Sequence, residues 1–549
     1  MILLPSSGII SKIIRSHNQT LKSPFVKDVR FLHTANKTCS TGKKTDGRGQ
    51  KIAITENLSY DKCTAFPVTM PTFFSHERTC EMKKNLIRIT VIFLAGAVFS
   101  GACHLTGYAS QIPTGPASPM LPDNIRMAGV ELSMLQASYW NTFPGGEKVL
   151  MTPAEIEAEN TANLQKEDCC MNDLSALPET FDGIAMRASL AAFENPGKLY
   201  RNGELLPDSY YDRYRNNISG TPAAAVMNTG YGFCSSRSSL KSIPNEEWLS
   251  DDPTDPEWDN TVNSPVLVGE PLTAYLTTAD GVFTYVKTEY CEGWMPSADL
   301  VLCHSKEEWE LARDPEKFII VTGPEIITEE SYQPAHSQRV LEMGTKLELC
   351  DEPVQTVDNR WDWYNYVVYY PGRGADGLFE KQKMLIPFGS DVSMGYLKYT
   401  RKNVIDLAFK SLGKRYGWGG SMNAQDCSSF VREIFLCFGF VLPRNTTWQK
   451  RMIASVTDLS GMDANSKGAA LDQAGPGTIV QFSGHEMLYL GSHDGRHYVI
   501  SDVSSLVEDT ENGQEKRRVR SVVLNSLEDT KRANGKTWFE ELNAGIALP

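Results

Sequence analysis

The sequence predicts an α+β protein. Its last segment, 396–549, should pack a helix-borne cysteine on an antiparallel sheet, preceded by two small β-barrels and a helical N-terminal region. Three observations carry this expectation. After Cys427 the apolar residues Phe430, Val431, Ile434, Phe435 and Phe438 recur at helical spacing. Residues 475–482 and 485–491 read as consecutive strands broken by Ser483-Gly484. From 206 to 395, short β-rich runs alternate with Gly, Pro and Asp turns.

At 549 residues the chain exceeds one core, and about 150 residues per domain suggests three or four. A net charge of -13 excludes nucleic acid as a partner, since nothing would neutralise a phosphate backbone. Residues 1–81 show no sustained period and read as a non-native or disordered extension, with translation starting at Met82. Lys83, Lys84 and Arg88 then precede an apolar run, 89–99, followed by the small residues Ser100, Gly101 and Ala102. Basic, then apolar, then small is a secretory signal over 82–102. The run falls well short of the ~20 residues of a membrane span. The small residues before Cys103 resemble a bacterial lipoprotein cleavage site, with Ser100 where leucine is usual. That resemblance implies a lipidated Cys103 and membrane attachment; the alternative is simple secretion. The expected location is the periplasm or cell envelope.

The signal governs the cysteine arithmetic. Of 12 cysteines, Cys39, Cys63 and Cys80 lie upstream of it. None of those after Cys103 forms a Cys-x-x-Cys pair, so no metal site is expected. Export permits disulfides, but the spacing does not choose among pairings.

Residues 113–122 are proline-rich and read as a linker. Residues 153–166 carry strong helix formers with Pro153 at the first turn, and 184–193 is a second helix candidate. Residues 103–205 are thus expected to be mainly helical. In 206–305, strand candidates at 265–268, 272–276, 283–290 and 293–295 are separated by Gly269-Glu270-Pro271 and Ala279-Asp280-Gly281 turns. Their order resembles a bacterial SH3-like module. Residues 237–245 resemble the opening of one, with Lys241 and Asn245 replacing the usual Arg and Thr. Residues 306–395 hold a second β-rich run, including 345–349 and the aromatic stretch 361–370. Aromatics there pack on alternate strand faces or form a ligand platform.

Val404, Leu407, Ala408 and Leu412 form a helical stripe ended by Gly413. A glycine-rich approach, Tyr416-Gly417-Trp418-Gly419-Gly420, leads to Gln425-Asp426-Cys427-Ser428. Cys427 therefore falls at a helix N-terminus, where unpaired N–H groups favour the thiolate. A nucleophile needs a base, and His485 opens the strand after Ser483-Gly484. A helix-borne cysteine facing a strand-borne histidine is the papain-type arrangement.

These motifs, with Leu442-Pro443-Arg444 and Gly477-Thr478, resemble the NlpC-type cell-wall cysteine peptidases. The resemblance implies a papain-like domain, Cys427 and His485 as the catalytic pair, and no cofactor. It places Tyr416 beside the nucleophile, with Asp426 and Ser428 holding a substrate ammonium. Core packing for Tyr416 and helix capping for Asp426 are the competing readings. The family-aligned third residue is Ser501, where a histidine is common. If Asp494-Gly495 is a two-residue turn, Asp502 instead shares the face of His485; a three-residue loop with a bulge would put Ser501 there. His493 and His497 read as exposed residues flanking that turn.

The implied function is a secreted, monomeric endopeptidase acting on peptidoglycan or muropeptide substrates, at the bond between γ-D-glutamate and a diamino acid. The SH3-like modules would bind wall material or shape the cleft. Two alternatives stand: an amidase or acyltransferase using the same pair, and an inactive wall-binding protein.

Overall fold

The structure, a computed structural model, describes Met127, residues 129–510 and residues 513–548. The 1–81 extension, the signal segment, Cys103 and the proline-rich linker lie outside the described residues.

Helix α1 (Pro153–Leu164) begins where Thr152 and Glu155 cap each other's backbone N–H groups and proline fills the first turn. Helix α2 (Gly183–Ala191) opens on the Asp182 carboxylate, which accepts the Ala185 N–H. Helix α3 (Asp212–Ser219) follows. The N-terminal region divides between two cores. Val130, Met134, Trp140, Met151 and Ile156 are buried with the cysteine helix, whereas Leu199, Tyr211 and Tyr214 pack on Ile243 and Leu249.

Strands β1 (Gly230–Cys234), β2 (Ser238–Lys241), β3 (Val262–Val266), β4 (Pro271–Thr277), β5 (Phe283–Lys287), β6 (Glu292–Pro296) and β7 (Leu300–Leu302) form one sheet in the order β7-β1-β4-β5-β6-β2-β3. Its neighbours all pair antiparallel. Leu240, Val266, Leu272, Val286 and Met295 fill its core. The strands expected at 265–295 are therefore present, with ends shifted by a few residues. Helix α4 (Lys306–Arg313) then buries Trp309, whose ring N–H donates to the Gly232 carbonyl at 3.1 Å.

The second β-rich segment comprises β8 (Phe318–Val321), β9 (Glu325–Ile327), β10 (Val340–Glu342), β11 (Lys346–Glu348), β12 (Asn365–Arg373), β13 (Phe379–Pro387) and β14 (Val392–Met394). It is built in pieces: β11-β8-β14, β9-β10 and β12-β13. Ile319, Val321, Leu347, Val368, Met384 and Ile386 share its core. The aromatic stretch splits accordingly. Tyr370 is buried in that core, while Trp361, Trp363 and Tyr364 are exposed.

The C-terminal domain contains helices α5 (Arg401–Lys410), α6 (Cys427–Leu436) and α7 (Ala464–Ala474). Its strands are β15 (Ser455–Asp458), β16 (Ile479–Phe482), β17 (His485–His493), β18 (Arg496–Thr510), β19 (Gly513–Ser526) and β20 (Ala544–Ala547). They run β15-β20-β16-β17-β18-β19, and every adjacent pair is antiparallel. Strand alternation gives the sheet two packed faces. Phe430, Val431 and Ile434 of α6 pack with Leu488, Leu490 and Ile500 on one. On the other, Leu471 of α7 and Trp538 pack with Met487, Tyr489 and Val499.

Candidate active site

Asp426 caps α6: its carboxylate accepts the Ser429 N–H at 2.9 Å, and the Ser429 hydroxyl meets the Asp426 N–H at 2.7 Å. This reciprocal cap fixes Cys427 as the first helical residue. The approach loop is shaped by Gly419 and Gly420, at φ +65° and +90°, a left-handed conformation open to glycine. A β-carbon at Gly419 would strike the Val262 carbonyl, and one at Gly420 would sit 2.7 Å from Pro265. The motif thus lets strand β3 approach the cysteine loop. Trp258 stacks on Trp418 at 5.1 Å and on Tyr416 at 6.1 Å. Its acidic neighbourhood is tied down by Arg415–Glu257 (2.7 Å), Arg518–Asp252 (3.1 Å) and Arg520–Glu257 (3.0 Å).

The β17–β18 ladder ends at Leu488–Ile500. Beyond it, the sulfur of Cys427 faces the backbone N–H of Glu486, one residue from His485. His485 Nε2 lies 3.1 Å from Ser501 Oγ. The ring packs against Phe482 and Trp538, with centroids at 5.4 and 5.1 Å. Among the described residues, no hydrogen bond joins His485 to Cys427.

The register explains why Ser501 meets the imidazole. His493 pairs with Arg496, so Asp494-Gly495 is a two-residue turn, one of the two alternatives the sequence left open. A bulge between Tyr489 and Gly491 then shifts the pairing by one, placing Val499 opposite Tyr489 and Ile500 opposite Leu488. Gly491 takes up the bulge at φ +132°. Continuing this register puts Ser501 on the face of His485 and Asp502 on that of Glu486. The inference from the turn to Asp502 thus fails, because the bulge reverses it.

The electrostatics also differ from expectation. The helix N-terminus was expected to favour a thiolate, yet burial first, then Asp426 and Glu486, push the Cys427 thiol well above its ordinary range. Desolvation outweighs the helix end. Burial and the Arg532 guanidinium lower His485 to about 3, so its imidazole is neutral across the physiological range. Burial raises Glu486 to about 8 although Gln481 donates to it at 2.7 Å. Tyr416 is buried and its phenol is pushed well up by burial.

Asp426 and Ser428 are already engaged. Arg444 Nη2 donates to Asp426 Oδ2 at 2.6 Å, and Nη1 to Asp426 Oδ1 and Ser428 Oγ at 3.2 and 2.9 Å. Arg444 holds the Asp426 carboxyl below its usual value against the opposing effect of burial, which is the larger single influence. A substrate ammonium would have to share these acceptors with the guanidinium. His493 is partly exposed, while His497 is held by Glu528 at 2.7 Å. Sequence reasoning gave no role to Glu486, Arg532 or Trp538. Arg444 carried a signal, since it stands in the Leu442-Pro443-Arg444 motif.

The Glu486 shift makes a stability prediction. Between its ordinary value of 4.5 and about 8, the folded state keeps a proton that the unfolded state has lost. Stability therefore falls as pH rises through this window and levels off above it. Glu486→Gln removes the titration and keeps an acceptor for Gln481. Its stability relative to wild type should rise by a few kcal/mol from about pH 5 to about pH 8, measured by urea unfolding. A constant difference across that range would show that Glu486 is ionised in the fold.

The fold sets a helix-borne cysteine against an antiparallel sheet, the papain-like build. Residues 413–522 match the model of the NlpC/P60 family, typically cell-wall cysteine peptidases, and form an NlpC/P60 domain. No curated protein matches the chain. A solved NlpC/P60 endopeptidase from Photobacterium damselae subsp. piscicida is similar at a TM-score of 0.58 and 14% identity, over 75% of this chain and 96% of that one. The shared fold thus extends beyond the peptidase domain into the β-rich segments. An NlpC/P60 family protein from Bacillus cereus aligns at a TM-score of 0.41 and 20% identity, over 58% of this chain and 100% of that one. NlpC2 from Trichomonas vaginalis aligns at 0.20 and 12% identity, over 56% and 99%.

Proposed function

We propose that the chain is an exported cysteine endopeptidase that hydrolyses peptidoglycan stem peptides, at the bond between γ-D-glutamate and a diamino acid. One observation carries the reading: Cys427, first residue of α6, has its sulfur at the backbone N–H of Glu486, the chain neighbour of His485, whose ring is held by Ser501. Export through segment 82–102, with lipid on Cys103, belongs to the same reading.

The resting pair is a neutral thiol and a neutral imidazole rather than an ion pair. In the tautomer whose Nε2–H donates to Ser501, Nδ1 is unprotonated and takes the thiol proton as sulfur attacks the amide. The imidazolium then protonates the leaving amine. Backbone N–H groups at the start of α6 are suited to the oxyanion. Ser501 fixes the ring but brings no negative charge, so the imidazolium is short-lived.

The test is digestion of defined muropeptides with mass-spectrometric mapping of products. The expected product carries a new amine on the diamino acid, and Cys427→Ala should lower turnover by ~10³-fold or more. Turnover near wild type in that variant would refute the mechanism. Cleavage or acyl transfer at another bond would make the enzyme an amidase or acyltransferase. The un-ionised resting pair favours one second reading, an inactive wall-binding protein. Wild type would then sediment with wall material and release no peptide.

A further inference from the structure

We propose that Trp361, Trp363 and Tyr364 form a binding platform for an uncharged glycan strand of β-linked N-acetylated sugars, whose pyranose C–H faces stack on the rings. This rests on the reading of the chain as a wall enzyme, and it gives this surface the sugar rather than the peptide of the wall.

The rings stand on a fixed frame. Strands Thr356–Val357 and Arg360–Trp361 pair as a short hairpin, closed by Asp358 and Asn359 at φ +51° and +62°, the left-handed pair of a type I′ turn. The Asp358 carboxylate accepts the Ser331 hydroxyl at 2.6 Å and lies 3.6 Å from His336 Nε2, which ties the hairpin to a neighbouring loop. Past the hairpin, the Asn365 amide donates to the Trp363 carbonyl at 2.7 Å and the Phe388 N–H to the Tyr364 carbonyl at 2.9 Å. On this frame the Trp361 and Trp363 rings lie 5.3 Å apart and 30° from parallel, at 55% and 67% exposure. Tyr364 is 80% exposed and takes φ +60°, a left-handed conformation that a bulky side chain avoids. Backbone strain of this kind clusters at ligand sites, and no burial of the Tyr364 ring offsets it here.

The charges select the occupant. Residues 355–366 hold two carboxylates, Asp358 and Asp362, against one cation, Arg360, which Glu329 takes. Anionic lipid surfaces and polyanions are captured by unpaired Lys and Arg, so this patch repels them. The Asp362 carboxylate, between the two indoles in the chain, has no ion-pair or hydrogen-bond partner among the described residues. Flat apolar rings beside a free acceptor complement a pyranose, which offers a flat C–H face edged by O–H donors. A protein partner would instead need pockets for its anchoring side chains.

The experiment titrates the full chain with a soluble hexamer of β-1,4-linked N-acetylglucosamine, followed by calorimetry. Wild type should give saturable heat, and Trp361→Ala and Trp363→Ala should each weaken binding ~10-fold or more. Peptide release from intact sacculi should fall in both variants, whereas hydrolysis of sugar-free stem peptides should stay within ~2-fold of wild type. Asparagine is at ease at positive φ, so Tyr364→Asn should weaken glycan binding while the urea midpoint holds or rises. A tyrosine kept for structure would lower that midpoint. No saturable heat with wild type, alanine variants that bind as wild type does, or an asparagine variant that loses stability would overturn the proposal. So would binding to phosphatidylglycerol vesicles, or self-association in sedimentation, that either alanine variant abolishes. If wild type bound the hexamer but cleaved no stem peptide, the peptidase reading would fall and the platform would stand.

Discussion

The isolated segment 396–549 is expected not to fold, because its cysteine helix is completed by ionic partners outside it. Arg432 on α6 is 1% exposed and pairs with Glu270 at 2.5 Å, with its guanidinium 3.4 Å over the Tyr290 ring. Tyr290 in turn donates to Glu270 at 2.5 Å. Arg237 bridges Glu342 at 3.1 Å and the Ala424 carbonyl at 3.0 Å, just before the nucleophile. Cys437 donates to the Val321 carbonyl at 3.4 Å. Excision strips Glu270 and Tyr290 from Arg432 and bares the α6 surface that they cover. Total stabilities are only about 5–15 kcal/mol, and Trp140 and Ile156 are lost from the core as well. Urea unfolding followed by Trp fluorescence should show no cooperative transition for the fragment. Arg432→Leu should recover part of its helicity. A fragment that unfolds cooperatively near the midpoint of the full chain would show that the β-rich segments are separable.

This interlocking marks the limit of what the sequence conveyed. The helix from Cys427 and the strands on either side of Ser483-Gly484 were legible because each is a local pattern with its own punctuation. Residues 265–296 were legible for the same reason. The bulge at Leu490 was not, since an extra residue in a strand leaves periodicity almost intact while reversing every face beyond it. That single residue decides between Ser501 and Asp502 at His485. The Cys427 environment was misread for a related reason. A helix N-terminus is a property of local sequence, but Glu486 and Asp502 come from strands 59 and 75 positions later in the chain, and burial depends on the whole fold. Strands β19 and β20 and helix α7 were not anticipated, and the last two supply part of the cores flanking the site.

Arg444→Met is expected to destabilise the full chain by about 3–5 kcal/mol, the cost of leaving one member of a buried ion pair alone. Arg444 and Asp426 side chains are 6% and 8% exposed and meet at 2.6 Å. Without the guanidinium, Asp426 becomes an uncompensated charge next to Cys427, where it already raises the thiol. Iodoacetamide labelling of Cys427 near neutrality should therefore slow along with the loss of stability. Asp426→Asn in the same chain removes the orphaned charge and can still cap α6 through its side-chain oxygen. The double variant should regain most of the stability, giving a coupling energy well above the ~0.5 kcal/mol scatter of independent sites. The same pair tests what Asp426 is for. If it serves mainly to bind a substrate ammonium, the double variant should raise KM while leaving labelling of Cys427 at the wild-type rate. If its task is to cap the helix and counter Arg444, KM should hold and the single Arg444→Met variant should show the greater defect. Additive single and double variants would mean that the two side chains do not act as a pair in solution.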